Sequence, residues 1–207
     1  HLYAGSEAQV DFAGQSIALR QETDYPYAGL VNLTLGLQQP ATFDLRLRIP
    51  GWCRAFTLAV NGEAVEADVV LGYAAVERTW QPGDRVTLDL AMPVERVAAH
   101  PAIAADAGRT AIQRGPLVYC LEAVDHAGAD VRAFSLPDAA VLTPREADLF
   151  SGTVMIEAEG LRPVPDGDGL YTPLDGAKTQ PVALRLIPYA LWANRAPGAM
   201  AVWLPRA

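Results

Sequence analysis

The chain has 207 residues, 51% of them apolar, enough to bury about 70% of the extended-chain surface in one large or two smaller cores and too apolar for a disordered protein. A formal net charge of −8, a pI of 4.8, a single lysine (Lys178) and arginines scattered without a basic stripe argue against nucleic acid and anionic membrane as partners. No apolar run is long enough for a membrane-spanning helix, and two cysteines without CxxC spacing are too few for a disulfide framework.

Taken in chain order, the elements are predominantly strands. Val31, Leu33, Leu35 and Leu37 form a first alternating row, and Phe43, Leu45, Leu47 and Ile49 a second, set between Asp44, Arg46 and Arg48. Period two with one apolar face predicts a strand buried on one side and wet on the other. Asn61-Gly62, between FTLAV and EAVEA, predicts a type I′ hairpin, whose two central residues need positive φ. Gln81-Pro82-Gly83-Asp84 places Pro and Gly where a type II turn wants them, and Val86, Leu88 and Leu90 follow as a third row. Alternation lapses over His100–Gly108, a candidate domain boundary, before the apolar stretch Arg109–Glu122, RTAIQRGPLVYCLE. Thr143 as N-cap, Pro144 at the first helical position and Glu146 closing a capping box predict one helix of about two turns, ending by Gly152. Pro163–Gly176, dense in Pro, Gly and Asp, is a second weak point in the chain. A fourth row, Val182, Leu184 and Leu186, leads into the apolar, aromatic stretch Ile187–Leu204, IPYALWANRAPGAMAVWL. Many short strands with regular turns predict an all-β, antiparallel protein of two β-sandwich, jelly-roll-like domains with at most one or two short helices.

The order of these motifs carries a resemblance. LYAGSEAQV near the start, Glu22–Gly29 (ETDYPYAG), Ile49–Cys53 (IPGWC), Val60–Gly62 (VNG), Arg78–Asp84 (RTWQPGD), VTLDLAMPV and the two apolar stretches together resemble the carboxy-terminal region of glycoside hydrolase family 127, the β-L-arabinofuranosidase family. The acidic-aromatic loop departs from the family pattern at Tyr27 and Ala28, where Trp then Asp is more usual. The resemblance implies retaining hydrolysis of terminal β-L-arabinofuranose by a zinc-bound cysteine nucleophile, with that cysteine and the zinc ligands in an α-helical barrel upstream of these motifs. It further implies that this chain begins after the barrel has ended. No catalytic, cofactor-binding or metal residue is therefore expected here, and zinc is expected only in the catalytic domain. The family topology implies a discontinuous first sandwich, residues 1–103 plus 186–207, with a second sandwich, 104–185, inserted between.

The residues themselves offer candidates, each weighed against a plainer role. Cys120 invites comparison with the family nucleophile, but Leu117, Val118, Tyr119 and Leu121 surround it with apolar neighbours, the opposite of what a reactive thiolate needs. Cys53 is likewise expected as a buried reduced thiol, which leans toward a reducing, cytoplasmic setting. His1, His100 and His126 lack zinc-ligand spacing, and Asp125-His126 is expected in a solvated turn. Asp166-Gly167-Asp168-Gly169 hints at calcium, although Ala177 stands where an EF-hand needs its bidentate Glu. Asn32-Leu33-Thr34 is a glycosylation sequon inside a predicted strand. Glu22 and Asp24, beside Tyr25 and Tyr27, are the richest local carboxylate pair for glycoside cleavage, which needs two facing carboxylates; loop capping or contact with the barrel describes them equally. Trp52, Trp80, Trp192 and Trp203 are candidate sugar platforms whose competing role is core packing.

Two functions from different classes follow. The first is a non-catalytic region that braces the catalytic barrel of the same polypeptide, with a homodimer contact as a further role. The alternative is a carbohydrate-binding β-sandwich module.

Overall fold

The computed structural model describes residues 3–12, 14–147, 149, 152–164, 167, 170–171, 173 and 177–207. The chain divides into two units, His1–Pro93 and Val94–Ala207. Among the described residues, helix is confined to single 3-10 turns; the rest of the regular structure is strand.

The first unit is a β-sandwich. Its larger sheet has the order β1-β2-β3-β9-β5-β6, from β1 (Ser6–Phe12), β2 (Gln15–Thr23), β3 (Leu30–Gly36), β5 (Phe56–Val60), β6 (Glu63–Ala64) and β9 (Arg85–Leu90). The smaller sheet is β4-β8-β7, from β4 (Ala41–Arg48), β7 (Val69–Val70) and β8 (Tyr73–Trp80). All these pairings are antiparallel. The alternating rows set the register: Val31 faces Leu88 and Leu33 faces Val86, so both apolar rows reach the same core. Trp80 is fully buried there, its indole N–H donating to the Phe43 carbonyl (3.0 Å). Each large side chain buried in this way contributes about 1.5–3 kcal/mol. At the free edge, β1 is exposed along its whole length.

Both turns of this unit form as their residues predict. Asn61 and Gly62 take φ of 53° and 86° between paired Val60 and Glu63. Gly83 takes φ of 86°, and the Asp84 N–H donates back to the Gln81 carbonyl (3.1 Å). The second turn joins β8 to β9 and so carries the chain from one sheet to the other.

The second unit is likewise built of antiparallel strands. Its ladders run through one sheet of order β10-β11-β12-β15-β14-β13, from β10 (Val94–Val97), β11 (Arg109–Arg114), β12 (Leu117–Glu122), β13 (Thr143–Glu146), β14 (Val154–Val164) and β15 (Lys178–Pro188). Two short strands, β16 (Met200–Ala201) and β17 (Leu204–Pro205), pair with β12 and β11. Strand β12 makes the sheet continuous, pairing with β11 at Leu117 and Val118 and with β15 from Tyr119 to Leu121. Its core gathers Ile112, Tyr119, Leu121, Ile156, Leu184 and Leu186 beneath Val131, Phe134 and Leu136.

Three sequence expectations are corrected here. The chain does not place 186–207 with the first sandwich: Leu186 to Pro188 pair with β12, and Ala201 and Leu204 join the second core, so 186–207 belongs with 94–185. The boundary falls at Pro93, before β10, and not within His100–Gly108. Thr143–Glu146 is strand β13, not a helix start. A two-turn helix is marginal alone, whereas this segment pairs with β14 from Thr143↔Glu157 to Glu146↔Val154, at a sheet edge where Pro144 is tolerated. Of Pro163–Gly176, the other weak point, Pro163 and Val164 belong to β14, and Val164 pairs with Lys178 of β15 in the same unit; most of the rest lies outside the described residues.

Candidate functional site

In the first unit, the acidic-aromatic loop is built as a tight turn. Thr23 Oγ1 donates to the Leu30 carbonyl (2.6 Å) and accepts the Tyr25 N–H (3.1 Å), while the Asp24 carbonyl takes the N–H groups of Tyr27 (2.9 Å) and Ala28 (3.2 Å). The Tyr25-Pro26 peptide is cis. Tyr25 stacks on Trp52, with centroids 6.5 Å apart, and meets Tyr3 edge-on at 5.9 Å. The Tyr3 hydroxyl donates to the Arg48 carbonyl (2.6 Å), and burial pushes its pKa up to about 12. Trp52 and Tyr25 thus each turn one face to the other. Glu22, on β2, is exposed and bridged by Arg20 at 2.8 Å. Glu22 and Asp24 are both exposed, so the loop offers no desolvated carboxylate to act as general acid.

In the second unit, the structure assembles a cluster that sequence reading did not single out. Glu122, at the end of β12, is 3% exposed, and Arg195 keeps 23% of its side chain exposed. Arg195 Nη2 reaches Glu122 Oε2 and Asp125 Oδ2 at 2.5 Å each, and Nη1 reaches Asp125 Oδ1 at 2.7 Å. The other oxygen of Glu122 accepts the Ala193 N–H (2.8 Å). One guanidinium thereby ties the loop after β15 to β12, and removing one member of such a buried set leaves a desolvated charge worth about 3–5 kcal/mol. A charged residue closing the apolar run LVYCLE was the available sequence signal; its partner lies 73 residues away.

His126 is buried in the 3-10 turn Ala123–His126, not in a solvated turn. Its Nδ1 faces the Glu122 carbonyl at 2.7 Å, and its Nε2 faces the Arg185 N–H at 3.3 Å. A carbonyl only accepts and an N–H only donates, which assigns the neutral tautomer with the proton on Nδ1. Phe134 packs edge-on against the ring at 5.5 Å. Both nitrogens being engaged, the imidazole is a structural element and not a free base.

The other candidates scatter. Both cysteines are free. Burial pushes the Cys120 thiol up to about 12, with the Glu122 charge adding to it, and burial also raises Cys53, whose Sγ donates to the Ala55 carbonyl (3.1 Å). Neither has thiolate character. His1, Asp166, Asp168 and Gly169 lie outside the described residues. Among the described residues no three His, Cys, Asp or Glu side chains converge on a metal-sized site. Trp80 is core, and Trp203 is half-buried. Trp192 is 41% exposed and stacks nearly parallel to Tyr189, itself 46% exposed, at 6.2 Å.

Comparison with known proteins agrees with this division. Residues 1–92 match the family model described as "Beta-L-arabinofuranosidase, GH127 middle domain", and residues 94–205 match the glycoside hydrolase family 127 C-terminal domain. A non-reducing end β-L-arabinofuranosidase of Bifidobacterium longum subsp. longum is 36% identical over 203 residues, covering 92% of this chain and 30% of that protein. The crystal structure of a GH127 β-L-arabinofuranosidase from Geobacillus stearothermophilus T6 superposes with a TM-score of 0.93 at 43% identity, covering 100% of this chain and 33% of that one. A second solved GH127 protein, a β-arabinofuranosidase, gives a TM-score of 0.89 at 34% identity and covers 100% of this chain and 34% of its own. The chain thus spans about a third of the length of the relatives it matches. With two domain models laid end to end along it, the chain belongs to glycoside hydrolase family 127 and consists of that family's middle and C-terminal domains.

Proposed function

We propose that these two β domains form the non-catalytic part of a β-L-arabinofuranosidase-like hydrolase and brace a catalytic α-helical barrel of the same polypeptide. The observation that carries this reading is the match to middle and C-terminal domain models in relatives about three times as long. In this reading the cysteine nucleophile, its zinc and the arabinofuranose pocket belong to the barrel, and Cys53 and Cys120 have no part in them. Large apolar side chains left exposed supply contact surface: Val10 and Phe12 on β1 in the first unit, and Val118, Val124, Tyr189 and Trp192 in the second. A homodimer contact through one of these surfaces is the finer form of the same role, read by sedimentation velocity.

The test is reconstitution. This chain, mixed with a separately expressed family 127 barrel, is expected to co-elute with it and to lengthen its half-life on heating. Hydrolysis of a chromogenic arabinofuranoside by this chain alone, abolished by a substitution within it, overturns the reading, as does failure to co-elute. The stacked Tyr189–Trp192 pair favours one second reading, a platform for neutral sugar. Calorimetric titration with arabinan oligosaccharides decides it, and absence of heat retires it.

A further inference from the structure

Acidic residues outnumber basic ones in this chain by 24 to 16, yet three arginines meet around one cavity of the second unit. The cavity has a volume of about 380 Å³ and is lined by Arg96, Ala98, Arg109, Thr110, Asp138 and Arg206. Backbone pairing builds it. Arg96 lies on β10 and Arg109 on β11, which pair from Val94↔Arg114 to Val97↔Ala111. Arg206 directly follows β17, which pairs with the start of β11 at Arg109↔Pro205. Leu136 bridges to Arg206, which brings Asp138 alongside.

The charges in this lining do not cancel. Arg206 is neutralised by Asp138 through two hydrogen bonds, 2.8 Å from Nε and 2.5 Å from Nη2. Among the described residues, Arg96 Nη2 donates to the carbonyls of Pro137 (3.1 Å) and Ala140 (2.7 Å), and Arg109 Nη1 donates to the carbonyl of Trp203 (3.0 Å). Carbonyl partners fix a guanidinium in place and leave its charge intact. Each guanidinium carries five N–H donors, so most donors around the cavity remain uncommitted. Three guanidiniums share the single carboxylate of Asp138, which also feels the charge of Arg96, and this excess of positive charge beside a pocket of small-ligand size suits an oxyanion, which arginine binds in bidentate fashion.

We propose that this pocket binds an acidic saccharide through its anionic group, a carboxylate or a phosphate. The oxyanion follows from the charge of the lining; the saccharide rests on membership of a glycoside hydrolase family, and not on the bracing role.

The test is calorimetric titration of the 207-residue chain with galacturonate, glucuronate and arabinose 5-phosphate, alongside neutral arabinose, acetate and inorganic phosphate. Acidic sugars are expected to bind, to weaken as salt is raised, and to bind about tenfold more weakly to Arg109→Met. The uronate and phosphate arms identify the anionic group. Because Arg109 also ties down Trp203, Ala98→Glu serves as the second variant: it sets a carboxylate in the lining, removes no hydrogen bond, and is expected to abolish binding. The proposal is overturned if acidic sugars bind no more tightly than acetate or inorganic phosphate, or if binding is undiminished in Ala98→Glu. Binding that disappears when the chain is joined to a catalytic barrel also overturns it, since the pocket is then covered by the barrel. None of these outcomes bears on co-elution with the barrel, which tests the bracing role separately.

Discussion

Asp84 is 6% exposed, and its carboxylate accepts the Gln81 N–H and the Asn61 side-chain amide, each at 2.8 Å. Burial alone would raise its pKa; the Gln81 bond, the Asn61 bond and the charge of Arg78 outweigh that and hold it below the usual carboxylate range. A depressed folded value means stabilisation that is complete above the unfolded pKa, about 3.9, and is lost as pH falls through the folded one. Asp84→Ala is therefore expected to cost about 1–3 kcal/mol at neutral pH. The gap from the parent should narrow in urea melts taken progressively below pH 4, and a gap that stays constant contradicts the assignment. The VNG and QPGD motifs are each legible in the sequence as a turn. That they are one structure is not, because Asn61 reaches Asp84 across 23 residues, and no periodicity reports such a pairing. Cys120 was legible, since an apolar setting alone foretells burial and a raised thiol pKa, whereas Cys53, expected buried, is only partly so. Iodoacetamide at pH 8 is expected to leave Cys120 unlabelled in the native protein, and mass spectrometry should find both thiols modified after denaturation.

Among elements, the rows that alternate at period two became strands, and the departures have a common cause in partners distant along the chain. Thr143–Glu146 carries every local sign of a helix start and is a strand, because β14 offers a ladder that a short helix cannot match. Asp125-His126 reads as a wet turn, yet His126 is buried, because Arg185 and Phe134 arrive from elsewhere in the chain. Gly29 makes the same point for backbone. The Leu90 N–H donates to its carbonyl (3.1 Å), and a Cβ built on Gly29 would stand 1.9 Å from the Leu90 carbonyl oxygen. That atom belongs to β9 in the middle of the larger sheet and cannot swing aside. Gly29→Ala is expected to destabilise the first unit by about 3 kcal/mol or more, while Gly51→Ala, with open space around its Cβ, should stay within about 0.5 kcal/mol. Thermal melts of the two variants provide the comparison, and equal shifts would contradict the close approach.

For the whole molecule, composition and turn spacing sufficed for an all-β chain, but not for how its strands are shared between units. The return of 186–207 to the first sandwich was an inference by analogy, and the physical content of those residues points elsewhere. Leu186 pairs with Leu121, Ala201 also pairs with Leu121, and Leu204 pairs with Thr110, so these three side chains of the ending join the core formed by their neighbours in 94–185. The first core draws only on residues up to Leu90. Every strand that a core needs is thus supplied within its own unit, and this has a consequence for fragments. Residues 1–93 and 94–207, expressed separately, are each expected to give dispersed amide spectra and a cooperative melt. Residues 104–185 should not. That segment lacks β10, β16, β17 and the last three residues of β15, and with them Leu186, Ala201 and Leu204 of the core. Large apolar groups contribute about 2–5 kcal/mol each when removed from a core, against a total stability of about 5–15 kcal/mol for a domain. Losing two buried leucines, an alanine and four strand ladders exceeds that margin. A folded 104–185, or a 1–93 fragment that folds only when 186–207 is added back, would restore the discontinuous arrangement.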